Sequence, residues 1–269
     1  MTHLRPSFAS DLLKGKTALI TGGGSGICKG IALAYAAHGA SVAVIGRKVE
    51  KLDVTVAEVE KIGGKALALP LDVRDLEAVE AAVDKAVNHF GGLDLVLNGA
   101  AGNFLAPAAA LSKNAFHSVI DIDLCGTFHV CKASMSALTS SKGSILNISA
   151  TLHYGATPLQ LHVSAAKAGI DALTRNLCAE WGPFGIRVNG VAPGPVDDTE
   201  GMARLAPGDL KAKITKKIPL GRFGKIAEIA DAALFLSSDA AAYVSGHTLV
   251  VDGGAWMRGP LLEADFMTG

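Results

Sequence analysis

The sequence predicts an α/β fold of the doubly wound kind: about seven parallel strands in one sheet, with helices on both faces. Short apolar runs of strand length alternate with helix-length segments through most of the 269 residues, a rhythm that specifies parallel βαβ units. Hydrophobic residues make up 49% of the chain without a run of eighteen together, as expected for strands covered on both faces. A glycine-rich stretch at 21–30, TGGGSGICKG, lies directly behind the first strand and opens a helix.

The elements follow in order. TALIT at 17–21 is the first strand, and a helix starts from Gly26. SVAVI at 41–45 is the second, followed by a helix over 49–62. ALALPLDV at 66–73 and a further helix complete the first half, and LDLVLN at 93–98 opens the second. One long helix is then expected around 114–137. SILNIS at 144–149 leads to a helix ending near Trp181, and IRVNGVA at 186–192 is the sixth strand. Beyond Pro193 the pattern loosens into a stretch with two short helical segments, expected as a substrate lid near 195–222. A helix near 226–236 and HTLVVDGG at 247–254 close the sheet. A chain of this size is expected to form a single domain over 1–269.

Lys plus Arg and Asp plus Glu number 25 each, so net charge draws in neither nucleic acid nor a membrane surface, and neither partner is expected. Any phosphate-bearing ligand must be held locally. Cys28, Cys125, Cys131 and Cys178 lack metal-ligand spacing, so they read as packing residues of a reducing compartment, with no metal site. The first sixteen residues have no signal-type apolar core, and Met267, Thr268 and Gly269 do not form the peroxisomal tripeptide; the expected location is cytoplasmic.

The turn at 21–30 carries the first chemistry. Gly22, Gly24 and Gly26 let the backbone approach a pyrophosphate, whose charge is met by the free amides at the helix start. The end of the second strand selects between dinucleotides, because an acid there would hydrogen-bond a ribose 2′-hydroxyl. Here it reads Gly46, Arg47, Lys48, and cations welcome a 2′-phosphate, so NADP(H) is the expected cofactor.

TGGGSGI at 21–27, LNGAAG at 97–102, Ser149 after a strand, Lys167 on the next helix and APGPV at 192–196 together resemble the short-chain dehydrogenase/reductase family, of Rossmann type. The resemblance covers nearly the whole chain. It implies that NADP(H) is held by Gly22, Gly24, Ser25, Gly26, Ile27, Arg47, Lys48, Asp72, Val73, Asn98, Lys167, Pro193, Gly194, Val196 and Thr199. It also implies a homo-oligomer, a tetramer or dimer paired through the long helices at 114–137 and 158–181.

Two departures stand out. The third glycine of the family's first motif is Cys28 here, which should crowd the packing of helix on strand. The tyrosine that the family places four residues before its lysine, on the same helical face, is Val163, and the usual asparagine of the preceding helix aligns with Asp123. These substitutions, with AAGNFLAPAAALS at 100–112 and DIDLCGTF at 121–128, resemble the peroxisomal type of 2,4-dienoyl-CoA reductase within that family.

That resemblance implies an acyl-CoA substrate, held by Arg74, Phe104, Ser112, Lys113, Asn114 and Arg204, and a catalytic set of Asp123, Lys167 and Ser149. The chemistry is consistent with it. A ketone becomes a basic alkoxide that needs a proton donor, whereas a dienoyl thioester spreads its charge to the thioester oxygen as a weaker base. Asp123 and Ser149 are expected to order a water, with Asp123 ionised because Lys167 opposes the effect of burial. Tyr154 and His153 are other candidate donors, with Tyr154 read as structural. His162, about 140° around the helix from Lys167, is expected to face away. The alternatives are a 2-enoyl-CoA or 3-oxoacyl reductase of the same family, or a decayed NADP-binding protein.

Overall fold

The computed structural model describes residues 8–197, 199 and 209–257. Among them, β1 (Thr17–Thr21), β2 (Ser41–Gly46), β3 (Lys65–Pro70), β4 (Leu95–Asn98), β5 (Ser144–Ile148), β6 (Arg187–Pro193) and β7 (Thr248–Val251) form one parallel sheet. The spatial order is β3-β2-β1-β4-β5-β6-β7, the doubly wound order, so the direction in which successive strands are added reverses between β1 and β4. A crevice opens there, at the carboxyl ends of the strands.

Eight α-helices are described: α1 (Gly26–Ala37), α2 (Val49–Lys61), α3 (Leu76–Phe90), α4 (Lys113–Val119), α5 (Gly126–Ser141), α6 (Leu161–Trp181), α7 (Asp209–Lys216) and α8 (Ile226–Ser237). They divide into two layers. Ile31, Tyr35 and Leu52 of α1 and α2 meet Ile229 and Leu234 of α8 on one face of the sheet. Val79 and Val83 of α3, Val130 and Leu138 of α5 and Leu177 of α6 fill the other. The central strands β1 and β4 are buried at every position, hence their unbroken apolar runs. Edge strand β3 is half-exposed and carries Lys65 and Pro70, which discourage pairing with another strand.

The helix expected around 114–137 is interrupted. Between α4 and α5 the residues Ile120–Cys125 form a π-helical segment, whose wider turn re-aims the side chains it carries. The Thr127 hydroxyl donates to the Asp123 carbonyl at 2.6 Å, adding a bond to the loosened ladder. Gly126 then lets α5 press on Val73, where a Cβ would come within 2.5 Å of a valine methyl. Asp123 lies inside this segment and is fully buried.

Of the expected lid, residues 198 and 200–208 lie outside the described part, and among the described residues it carries one helix, α7.

Candidate active site

The cofactor end is built mainly from what glycine leaves out. Gly22 has φ +71°, and a Cβ there would lie 2.9 Å from the Gly99 carbonyl oxygen, so only glycine joins β1 to the loop after β4 at this distance. Gly26, at φ +56°, takes a backbone conformation that favours glycine and borders open space. Ser25 is the N-cap of α1 yet makes no side-chain cap bond, and the first turn carries no acid, so the leading amides are left for an anion. Thr21 Oγ1 fixes the opposite wall by accepting from Gly99 N–H at 2.9 Å and Ala100 N–H at 3.1 Å.

One pocket joins Gly22, Gly24, Ser25, Arg47, Lys48, Asp72 and Val73, seven of the residues expected to hold the dinucleotide. The set fits NADP(H): backbone amides for the pyrophosphate and two exposed cations at the end of β2. Asp72 is held by Arg74 through three bonds, from Nε at 3.0 Å, Nη2 at 2.7 Å and the backbone N–H at 3.1 Å. That pairing with Arg74 is the main reason the Asp72 carboxyl lies below the usual carboxylate range. An expected cofactor residue and an expected acyl-CoA residue are thus one ion pair.

The other expected cofactor residues lie off this pocket. Ile27, in the first turn of α1, packs against the core. The Asn98 amide donates to Asn147 Oδ1 at 2.9 Å, and Asn147 donates to Thr174 Oγ1 at 2.9 Å, so Asn98 belongs to a buried chain of amides across β4, β5 and α6. Pro193 ends β6, Gly194 N–H donates to the Val251 carbonyl at 3.0 Å, and Val196 bridges to Gly224. Thr199 Oγ1 donates to the Val196 carbonyl at 3.1 Å.

The crowding expected at Cys28 is relieved. Its buried Sγ occupies the space where a Cβ of residue 99 would stand, so the glycine absent at 28 is supplied at 99. Burial pushes the thiol up to about 12, which leaves it unreactive.

The structure brings Asp123 and Lys167 together, and Ser149 follows the neighbouring strand β5. The π-helical segment aims Asp123 at α6, where Lys167 Nζ lies 3.3 Å from Oδ2 while donating to the Ile148 carbonyl at 3.0 Å. Asp123 Oδ1 accepts from Gly102 N–H at 2.7 Å. The expectation that Lys167 decides the ionisation of Asp123 is corrected: burial is the largest influence, and it raises the carboxyl above its ordinary value despite Lys167, the Gly102 amide and His162. The buried Ser149 Oγ has no partner among the described residues. Val163, at the position of the family's tyrosine, is 3% exposed and packs with Val119, Ala166, Leu124 and Leu152, so no hydroxyl reaches the cleft from there.

Tyr154 and His153 belong to a separate cluster. Both contact Asp171 Oδ2, at 3.3 Å and 2.8 Å, and the Tyr154 ring stands edge-on to Trp256. Burial and the Asp171 carboxylate push the Tyr154 phenol up to about 12. The expectation that His162 faces away is overturned: it is fully buried, stacked under Phe104 and electrostatically coupled to Asp123. Helical angle alone missed this because the loop at 102–106 folds over the first turn of α6. Of the expected substrate residues, Phe104, Lys113 and Asn114 are exposed. Ser112 caps α4 by accepting from Ala115 N–H at 3.2 Å, and Arg204 lies outside the described residues.

A family described as enoyl-(acyl carrier protein) reductase matches residues 22–255. The chain is 49% identical over 263 residues to the peroxisomal 2,4-dienoyl-CoA reductase of Arabidopsis thaliana, covering 94% of this chain and 88% of the relative. It is 49% identical over 257 residues to the reductase of the same name from Saccharomyces cerevisiae, and 46% over 256 to that of Mus musculus, with the same shares covered. Among solved structures, a short-chain dehydrogenase from Bacillus anthracis superposes with a TM-score of 0.85 at 39% identity, covering 93% of this chain and all of that one. A 7α-hydroxysteroid dehydrogenase solved with NADH and a 7-oxo bile acid conjugate gives 0.88 at 32%, covering 92% and 97%.

Proposed function

The chain belongs to the short-chain dehydrogenase/reductase family, and from that premise we propose that it reduces 2,4-dienoyl-CoA thioesters to 3-enoyl-CoA thioesters with NADPH, in the degradation of unsaturated acyl chains. The carrying observation is Val163, packed among apolar neighbours where the family keeps its proton donor, beside a buried Asp123–Lys167 pair that remains intact. A ketone site without that donor is poorly equipped, whereas a dienoyl site needs it less.

Bound NADPH supplies a hydride to the carbon of the diene remote from the thioester. Lys167, buried and fixed by the Ile148 carbonyl, orients the nicotinamide ribose and brings positive potential to the developing dienolate. Asp123, anchored by Gly102, acts in its ionised form and with Ser149 orders the water that protonates the α-carbon. Arg47 and Lys48 give the preference for the 2′-phosphate. Arg74, Phe104, Ser112, Lys113 and Asn114 are the contacts we assign to the acyl-CoA, with Arg204, outside the described residues, as a sequence-based candidate, and one domain carries both sites in a homo-oligomer. The names of the plant, yeast and mouse relatives describe the same reaction and support the reading.

The direct assay follows NADPH oxidation with a 2,4-dienoyl-CoA. Consumption of NADPH, slower with NADH, is the expected result. No turnover at high enzyme concentration would remove the proposal.

A further inference from the structure

Among the described residues, His162 alone has two buried side-chain polar atoms without a hydrogen-bond partner. It is fully buried, and neither ring nitrogen has a hydrogen-bond partner among the described residues. Leaving a buried polar group unsatisfied is costly, so an imidazole is a poor choice if packing is its only task. It also lies close enough to Asp123 to favour the ionised carboxylate.

The ring is roofed by Phe104, with centroids 4.3 Å apart and planes inclined by 28°. Phe104 keeps 37% of its own surface exposed. Its loop is stapled along its length to the elements around the cleft. Gly102 N–H donates to Asp123 Oδ1 at 2.7 Å, Gln160 Nε2 donates to Asn103 Oδ1 at 3.1 Å, and Ala106 N–H donates to the Leu159 carbonyl at 2.9 Å. Leu159 holds φ +68°, a left-handed conformation costly for leucine and kept only where its surroundings impose it. The backbone before α6 is therefore strained into a shape that seats His162 beneath Phe104.

The neighbouring groups are already engaged. Lys167 Nζ serves the Ile148 carbonyl and Asp123, and Val163 brings no hydroxyl to this first turn. His162, one residue earlier, is the next side chain on that turn with an N–H to give.

We infer that His162 is a further catalytic residue of this site: when the acyl group seats beside Phe104 and parts it from the imidazole, a ring N–H donates a hydrogen bond to the thioester oxygen. The inference rests on the dienoyl-CoA reading. No bond is made or broken at the ring. As hydride enters the remote carbon, the electron pair shifts to the thioester oxygen, where the N–H stabilises it, and a solvent proton then adds at the α-carbon.

The test uses the full chain and a 2,4-dienoyl-CoA. In His162→Phe, which keeps the stacked ring and removes both nitrogens, kcat should fall about 10²–10³-fold. The Kd for NADPH should stay within about twofold, and the melting temperature should be no lower than in the unaltered protein, because two unsatisfied polar atoms are gone. His162→Gln restores an N–H donor and should recover part of the lost kcat, and it carries the test if the phenylalanine variant does not fold. A kcat near that of the unaltered protein in both variants overturns the assignment. So does a loss of kcat that comes with falls in both melting temperature and NADPH affinity, the mark of a packing residue. Failure of the unaltered protein to turn over any dienoyl-CoA is a different result, since it sinks the functional reading before His162 is reached.

Discussion

The two ends of the cleft are made in opposite ways. The dinucleotide end, at the turn between β1 and α1, works by omission: glycines at 22 and 26 take up positive φ, and Ser25 leaves the helix amides uncapped. The substrate end, between the π-helical segment and α6, works by confinement: beside the buried Asp123–Lys167 ion pair, Ser149 Oγ and both nitrogens of His162 are buried without hydrogen-bond partners among the described residues. The first end fits a polyanion before any ligand arrives. The second holds polar groups in a state that substrate must complete. Changes at the first should therefore act on binding, and changes at the second on rate.

Asp123→Asn should draw that line most sharply. It is expected to lower kcat on dienoyl-CoA about 10²–10⁴-fold while the Kd for NADPH, read by fluorescence titration, barely moves. Equal losses in both would make Asp123 structural. The same residue predicts a pH dependence. Burial raises its carboxyl, so kcat should rise with pH through a step above the ordinary carboxylate range, and Asp123→Asn should lack that step. The stability effect runs the other way, because a folded-state pKa above the unfolded one favours folding at low pH, a contribution lost as pH climbs through the raised value.

Arg47→Ala should weaken NADPH about 10–100-fold and leave NADH nearly unchanged, the worth of a charge-assisted hydrogen bond to phosphate. A uniform loss for both dinucleotides would move the selectivity elsewhere. Gly99→Ala should destabilise the fold by about 1–3 kcal/mol by overpacking against Cys28 Sγ, and adding Cys28→Gly should return most of it. Additive effects in that double-mutant cycle would show that the two positions do not share one space. Smallest of all, Tyr154→Phe should leave kcat within about twofold, since the phenol is committed to Asp171.

Legibility in the sequence followed the same division. The turn at 21–30 could be read because a positive φ and a close backbone approach demand glycine, a requirement visible in the residues themselves. Arg47 and Lys48 were legible for a similar reason, since strand and turn alone fix their place. The substrate end was not, because its geometry is tertiary. Nothing in DIDLC announces a π-helical turn, which depends on Thr127 and on how closely α5 approaches Val73. The burial of His162 depends on a loop some sixty residues earlier in the chain, at 102–106, so rotation around α6 placed it on the wrong side. Cys28 was legible as a departure, and its remedy at Gly99 appeared only once β1 and β4 were neighbours.

Relative activity on two acyl-CoA substrates probes the loss of the phenol most directly. With NADPH saturating, kcat/KM for a 2,4-dienoyl-CoA should exceed that for a 3-oxoacyl-CoA of equal chain length by about 10²-fold or more, the usual worth of a proton donor that only the ketone requires. Comparable values for the two substrates, or a preference for the ketone, would contradict the account.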